Sequence, residues 1–288
     1  MSKRMLKGKK KDGTPRVHVE DVIKIYRRGK IEVVALRSLN CGFYSGEISV
    51  VMGPSGCGKT SLLNLIGGLD RPNSGAIIID DENICKLDDR DLEAYRRQKI
   101  GYVFQFMNLI PEMTAAENIE MPLLLSKVPK KERRERVQDL LKLVGLLDRA
   151  NHKPDELSRG EQQRIAIAAA LSNKPEILLC DEPTGELDTA SKMNVLDILR
   201  NVIEKYPNKV VIVVTHDLEL KRIADRLFYI KDGQISHQLD KEQIKKSFDK
   251  ESGAIMTRKG DMSKLLEELR ELEYIIKNKI EKIEKDLE

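Results

Sequence analysis

An apolar run, Ile48–Met52, leads into Gly53-Pro54-Ser55-Gly56-Cys57-Gly58-Lys59-Thr60, and Thr60–Gly68 continues in a helical pattern. No other segment restricts the fold of this chain as much. GxxxxGK[ST] between a strand and a helix is the P-loop. Its glycines let the backbone wrap closely and turn N–H groups inward, onto phosphate oxygens. The helix start adds a partial positive charge. Lys59 is placed to reach β- and γ-phosphates, and the Thr60 hydroxyl to ligate Mg2+. Ser61, next in the chain, is counted with the nucleotide-binding residues. Cys57 stands at a variable position of the motif and reads as a small loop residue, not a nucleophile.

The rest of the chain supplies the strands and helices that such a loop needs. Ile177-Leu178-Leu179-Cys180-Asp181-Glu182 is an apolar strand ending in two carboxylates. Beside a P-loop, Asp181 is expected to hold Mg2+ through water and Glu182 to polarise the attacking water as general base. Val17–Glu20 and Ile23–Tyr26 alternate like strands. Ile77–Ile79, Gly101–Phe104 and Val210–Thr215 read as further strands, and Asp232-Gly233 as a hairpin turn. Gly160–Leu171 and Ser191–Tyr206 read as helices. Thr114 to Leu157 reads as a mostly helical insertion: Val137, Leu140, Leu141 and Val144 form an apolar stripe, and Pro129 suits a helix start. Strands alternating with helices imply an α/β fold with a parallel core sheet.

Composition narrows the class. The chain has 288 residues, 40% hydrophobic and 34% charged. No apolar run approaches the roughly 20 residues that span a bilayer. The basic start, Met1–Lys11, lacks the apolar stretch of a secretory signal. Cys41, Cys57, Cys85 and Cys180 are scattered without metal-ligand spacing, which points to a reducing compartment. A formal net charge of +4 is too mild to argue for nucleic acid. Residues 1–16 read as a basic flexible tail in solvent, with a patch for anionic lipid headgroups as the alternative. Residues 17–240 read as the main domain, with a helical subdomain at about 106–157, and residues 241–260 as a linker. In 261–288, Leu265, Leu269, Leu272, Ile276, Ile280, Ile283 and Leu287 share one face, as in an amphipathic or coiled-coil helix.

Leu157-Ser158-Arg159-Gly160-Glu161-Gln162-Gln163-Arg164 resembles the LSGGQ-type signature of the ATP-binding subunits of ABC transporters. The resemblance extends to Gln105 (Q-loop), Gly185-Glu186-Leu187-Asp188 (D-loop), His216 (switch His) and Tyr26 (adenine-stacking aromatic), and covers about Val17 to Gln238. It implies the ABC ATPase version of the P-loop NTPase fold: a parallel core sheet, an antiparallel N-terminal β subdomain and a helical insertion, here with an extra C-terminal helix. It implies an ATPase using ATP and Mg2+, whose homodimer closes head-to-tail around two ATP. Ser158 and Gly160 would donate to the γ-phosphate on the other subunit's P-loop, with Glu161 in the same segment. Gln105 would sense Mg2+ and the γ-phosphate, His216 would hold the attacking water, and Asp188 would communicate across the dimer. The implied partner is a membrane permease on a separate chain, which would hold this cytoplasmic protein on the inner face of the cell membrane. Arg159 and Glu161 depart from the signature; Gly160 is retained, so hydrolysis is expected to survive.

Val103–Pro111, Thr114–Asn118 and Asp181–Asp188 look most like the MacB/LolD-type group, with the cell-division FtsE type nearby. The alternatives are a non-transport ABC ATPase acting on DNA or iron–sulfur assembly, and a bare P-loop kinase or GTPase. Chromosome-maintenance ATPases place hundreds of residues between P-loop and Asp-Glu, whereas here the gap is about 120 residues. Translation-factor types carry two ATP domains. A kinase or GTPase would not need Leu157–Arg164, Gln105 and His216 together.

Overall fold

The computed structural model describes residues 13–29 and 31–247. The expected basic tail up to residue 12 and the expected helix 261–288 therefore lie outside the described residues. In chain order the elements are β1 Val17–Arg28, β2 Ile31–Phe43, β3 Ile48–Met52, α1 Lys59–Ile66, β4 Ser74–Ile79, β5 Glu82–Asn83, α2 Asp89–Lys99, β6 Ile100–Val103, α3 Ala115–Leu125, α4 Lys130–Leu143, α5 Arg159–Ala170, β7 Ile177–Asp181, α6 Thr189–Lys205, β8 Val210–Thr215, β9 Arg226–Lys231 and β10 Gln234–Asp240.

Six strands form one sheet in the order β10-β9-β3-β8-β7-β6. All neighbours are parallel except the β9–β10 hairpin. Every residue of β3, β7 and β8 is buried, which explains their unbroken apolar runs: these strands are covered on both faces. The other sheet, β2-β1-β4-β5, is antiparallel. Leu62, Leu63, Leu65 and Ile66 of α1 lie in the core shared by the two sheets, where Phe43 meets Phe228 at a ring-centroid distance of 5.2 Å.

Two differences from the sequence reading have local causes. The two short strands read in Val17–Tyr26 are one strand, β1, whose alternation is broken by register shifts around Val22 and Lys24. Asp21 sits there at φ +47°, inside the bulged stretch. β2 and α2 went unread. β2 carries an irregular burial pattern, and α2 buries only Leu92 and Tyr95.

The helical layer follows the expected stripe: Val137, Leu140 and Leu141 of α4 are buried. Thr114 and Glu117 form a reciprocal capping box that starts α3. Arg16, read as the end of a solvated tail, is instead a tie. Its Nε donates to Asp80 at 2.9 Å and its Nη1 to the Asn208 carbonyl at 2.8 Å, and it pairs with Glu176. The chain divides into two compact units after Lys241, and residues 242–247 of the second, read as linker, are helical.

Candidate active site

Register places the motifs together. Met52 lies beside Thr215 across β3–β8, Asp181 beside Val214 across β7–β8, and Val103 beside Cys180 across β6–β7. The carboxyl ends of four parallel strands therefore deliver Gly53, His216, Asp181-Glu182 and Gln105 to one rim of the sheet, where α/β folds bind ligands.

The P-loop runs from β3 into α1. Gly58 caps α1 at φ +104°, and a Cβ there would meet the Ala35 carbonyl oxygen at 2.4 Å. Only glycine fits, because both the backbone angle and the approach of β2 exclude a side chain. Lys59 Nζ donates to the carbonyls of Gly53 and Pro54 at 2.8 and 3.0 Å, so the ammonium ties down the opening of its own loop. The Cys57 side chain is buried and would abut a Cβ on Gly53, with its Sγ 2.7 Å away; it packs inward, as a filler of the turn.

The Thr60 hydroxyl donates to Asp181 Oδ1 at 3.2 Å. Burial pushes the Asp181 carboxyl up and the Glu182 charge adds to this, opposed by Thr60 and Lys59. A hydroxyl and a carboxylate whose charge lacks solvation are hard oxygen donors suited to Mg2+. The residues fit that ion: Thr60 and Asp181 would hold it. When bound, it would neutralise charge developing on phosphate oxygens. Gln105 is exposed just past β6, one strand over from this pair.

Glu182 is the centre of a second set of contacts. Its Oε1 lies 2.9 Å from His216 Nδ1, while Oε2 accepts from Thr215 Oγ1 at 2.9 Å and from the His216 N–H at 3.3 Å. The carboxylate is thus aimed by the residues that end β8. Its backbone sits at φ +46°, a conformation that costs a non-glycine residue about 1–3 kcal/mol and persists only when the surroundings hold it. Here the Glu182 N–H donates to the Val214 carbonyl at 2.9 Å.

Tyr26 lies apart, on β1. Its hydroxyl donates to Asp70 Oδ2 at 3.0 Å and the Lys24 ammonium sits 4.8 Å from the ring centroid. The ring is partly exposed and beside Ser61, whose side chain also bonds the hydroxyl. Burial, reinforced by Asp70, pushes the phenol up.

The signature residues contact α6 rather than the P-loop of their own chain. Ser158 caps α5: its Oγ accepts from the Glu161 N–H at 3.2 Å and donates to Glu161 Oε2 at 2.8 Å. Glu161 therefore serves its own helix start, and the Ser158 hydrogen bonds hold its carboxyl down. A Cβ on Gly160 would lie 2.3 Å from Ser191 Oγ, so glycine here is fixed by packing on the first turn of α6. Asp188 caps α6, accepting from the Ser191 N–H at 2.9 Å and its hydroxyl at 2.7 Å. Arg159 reaches Glu186 at 2.6 Å.

Thr215, Asp217, Thr184 and Asp70 are partners that the sequence reading missed. Each acts on a residue distant in the chain, and only the fold reveals it.

The ABC transporter family profile matches residues 36–185. An uncharacterised ABC transporter ATP-binding protein of Thermotoga maritima is 46% identical over 215 residues, which are 75% of this chain and 91% of that protein. The lipoprotein-releasing system ATP-binding protein LolD of Bacteroides fragilis is 40% identical over 76% of this chain and 99% of its own length. The macrolide export ATP-binding/permease protein MacB of Brucella abortus is 42% identical over 81% of this chain, but only 36% of its own length. Among solved structures, the dimeric cassette MJ0796 of Methanocaldococcus jannaschii superposes with a TM-score of 0.73 at 42% identity, covering 78% of this chain and 98% of that one. The same cassette in a post-hydrolysis state with ADP and Pi gives a TM-score of 0.72.

Proposed function

Because this chain belongs to the ABC transporter ATP-binding family and is an ATP-hydrolysing subunit of that kind, we propose that it drives a membrane permease carried on a separate chain. Two copies would close head-to-tail over two ATP. In each half-site Lys59, Thr60, Ser61 and the loop Gly53–Gly58 hold the phosphates and Tyr26 takes the adenine. Thr60, Asp181 and Gln105 serve Mg2+, and Glu182 with His216 activates water. Ser158, Gly160, Glu161 and Asp188 of the other copy complete the site. The protein would then sit peripherally on the cytoplasmic face of the membrane.

The observation that carries the permease reading is a groove of about 590 Å³ between β6 and the helical layer, lined by Phe104, Met107, Ile110, Met121 and Leu125 among others. Leu125 is 66% exposed and Phe106, near the rim, 75%. Apolar residues left in water in a concave site favour a partner. The groove adjoins Gln105, so a segment seated there would feel the nucleotide side of the sheet. No helix among the described residues is long and apolar enough to cross a membrane, and the match to MacB covers little beyond a third of that ATP-binding/permease protein. LolD, named as an ATP-binding protein, is matched over 99% of its own length, which supports a permease carried on a separate chain. LolD, by name part of a lipoprotein-releasing system, supports an export or release role of this type.

The test is co-purification of the tagged chain from membranes with its permease. Leu125→Asp is expected to abolish recovery of the permease while basal ATPase turnover of the isolated protein stays within about twofold, since surface substitutions away from the chemistry perturb the fold little. Recovery of the permease at wild-type level with Leu125→Asp would remove the groove from the interface.

A further inference from the structure

The first turn of α6 touches both the signature helix and the loop after β8. Ser191 packs on Gly160. Its neighbour Lys192 turns the other way and places Nζ 2.7 Å from Asp217 Oδ2, in a pair whose side chains are 30% and 14% exposed. Asp217 also accepts from Thr184 Oγ1 at 3.0 Å and from the Glu219 N–H at 3.1 Å. Its own N–H donates to Thr215 Oγ1 at 2.9 Å. Thr215 is fully buried, and its hydroxyl proton goes to Glu182 Oε2. A continuous path of contacts therefore runs Lys192–Asp217–Thr215–Glu182, and Glu182 ends it against His216.

We propose that Lys192 is a positioning residue for hydrolysis: through Asp217 it fixes the Thr215–His216 turn, and hence the Glu182 carboxylate, to the segment of α6 that packs on the signature helix. The inference rests on the assignment of Glu182 and His216 to water activation.

Three physical points support it. The Asp217 carboxylate is mostly shielded, and a shielded carboxylate needs compensating charge. Lys192 is the cation that meets it. Burial raises the Asp217 carboxyl, yet Lys192, the Glu219 N–H and Thr184 together hold it below its ordinary range. Second, Thr215 has one hydroxyl proton. While the Asp217 N–H occupies the hydroxyl's acceptor side, that proton is directed at Glu182; a displaced Asp217 loses this orientation. Third, the same segment is tied at its other end by Arg159 to Glu186. That pair is exposed and contributes little alone. Together with Gly160 against Ser191, it makes residues 186–192 a strut between the signature, which would meet the partner's ATP, and the water-activating pair of its own subunit.

The experiment uses the full chain. Lys192→Met keeps the aliphatic stem and removes the charge. Steady-state phosphate release is expected to show kcat lowered roughly 5–20-fold, the scale of one charge-assisted hydrogen bond partly compensated by the remaining donors to Asp217. ATP affinity, measured by titration, is expected within about twofold of wild type, because Lys192 touches no part of the P-loop. Lys192→Arg is expected to restore at least about half of kcat, since a guanidinium supplies the same charge. A purely structural loss would lower ATP affinity with kcat or resist rescue by arginine; either result, or an unchanged kcat in Lys192→Met, overturns the proposal. Glu182→Gln in the same assay separates the two claims. Turnover surviving there removes the water-activation assignment, whereas turnover lost there but kept in Lys192→Met overturns only the role of Lys192.

Discussion

Glu182→Gln is expected to lower kcat for ATP hydrolysis by roughly 10²–10⁴-fold, the range that a positioned general base contributes. The substitution keeps size and hydrogen-bonding shape. Thr215 Oγ1 and the His216 N–H can still donate to the amide oxygen in place of Glu182 Oε2, and His216 Nδ1 still lies opposite the other side-chain atom. What is lost is an anion able to take a proton from water. ATP affinity is expected within a fewfold of wild type, because Lys59, Thr60 and the loop are untouched. The dimer formed with ATP is then expected to persist, visible as a shift in size-exclusion elution that wild type shows only transiently. Phosphate release and ATP titration on the same preparation check both halves. A variant that hydrolyses ATP within about tenfold of wild type would place the base elsewhere. His216→Ala is expected to reproduce part of the loss, since the imidazole is the group that meets Glu182 Oε1.

The parts of this site that were legible in the sequence are those carried by contiguous residues at strand ends. β3 and β8 appear with the bounds read from their apolar runs, and β7 ends inside the expected carboxylate pair, at Asp181, because burial on both faces leaves an uninterrupted apolar signal. Gly53–Thr60, Asp181-Glu182 and His216 follow directly from those strands, so the motifs come to one rim as soon as the sheet order is set. The unread elements are weakly patterned. β2 turns through Ser38 at φ +47°, which breaks its alternation, and α2 is largely polar and held by its Asp88 cap. The unread site contacts are long-range. Tyr26 and Asp70 are 44 residues apart and Thr215 and Glu182 are 33 apart; nothing in spacing announces either pair. Arg159 illustrates the same limit. In the sequence it is a departure from the LSGGQ-type signature. In the fold it meets Glu186, the residue preceding Leu187-Asp188 and 27 positions along the chain, so the departure is one half of a contact between two motifs.

Lys59→Met is expected to act on binding where Glu182→Gln acts on turnover. Lys59 is only 8% exposed, and its hydrogen bonds to the Gly53 and Pro54 carbonyls tie down the opening of the loop. The same charge is the one able to meet β- and γ-phosphate oxygens. Methionine keeps the stem and its packing on α1 while removing both functions, and truncating one side of a buried charged contact costs about 2–5 kcal/mol. ATP affinity is therefore expected to fall at least ~30-fold by calorimetric titration, the lower end of that range. Hydrolysis should fall with it at sub-saturating ATP. Lys59→Arg is expected to recover little, because a planar fork does not fit where a point charge is wrapped by two carbonyls. Thermal stability should change by only a few degrees, since the loop carbonyls can turn to water. If Lys59→Met bound ATP within threefold of wild type, the loop Gly53–Thr60 would hold nucleotide through its backbone N–H groups alone, and Lys59 would be a structural clasp of the turn.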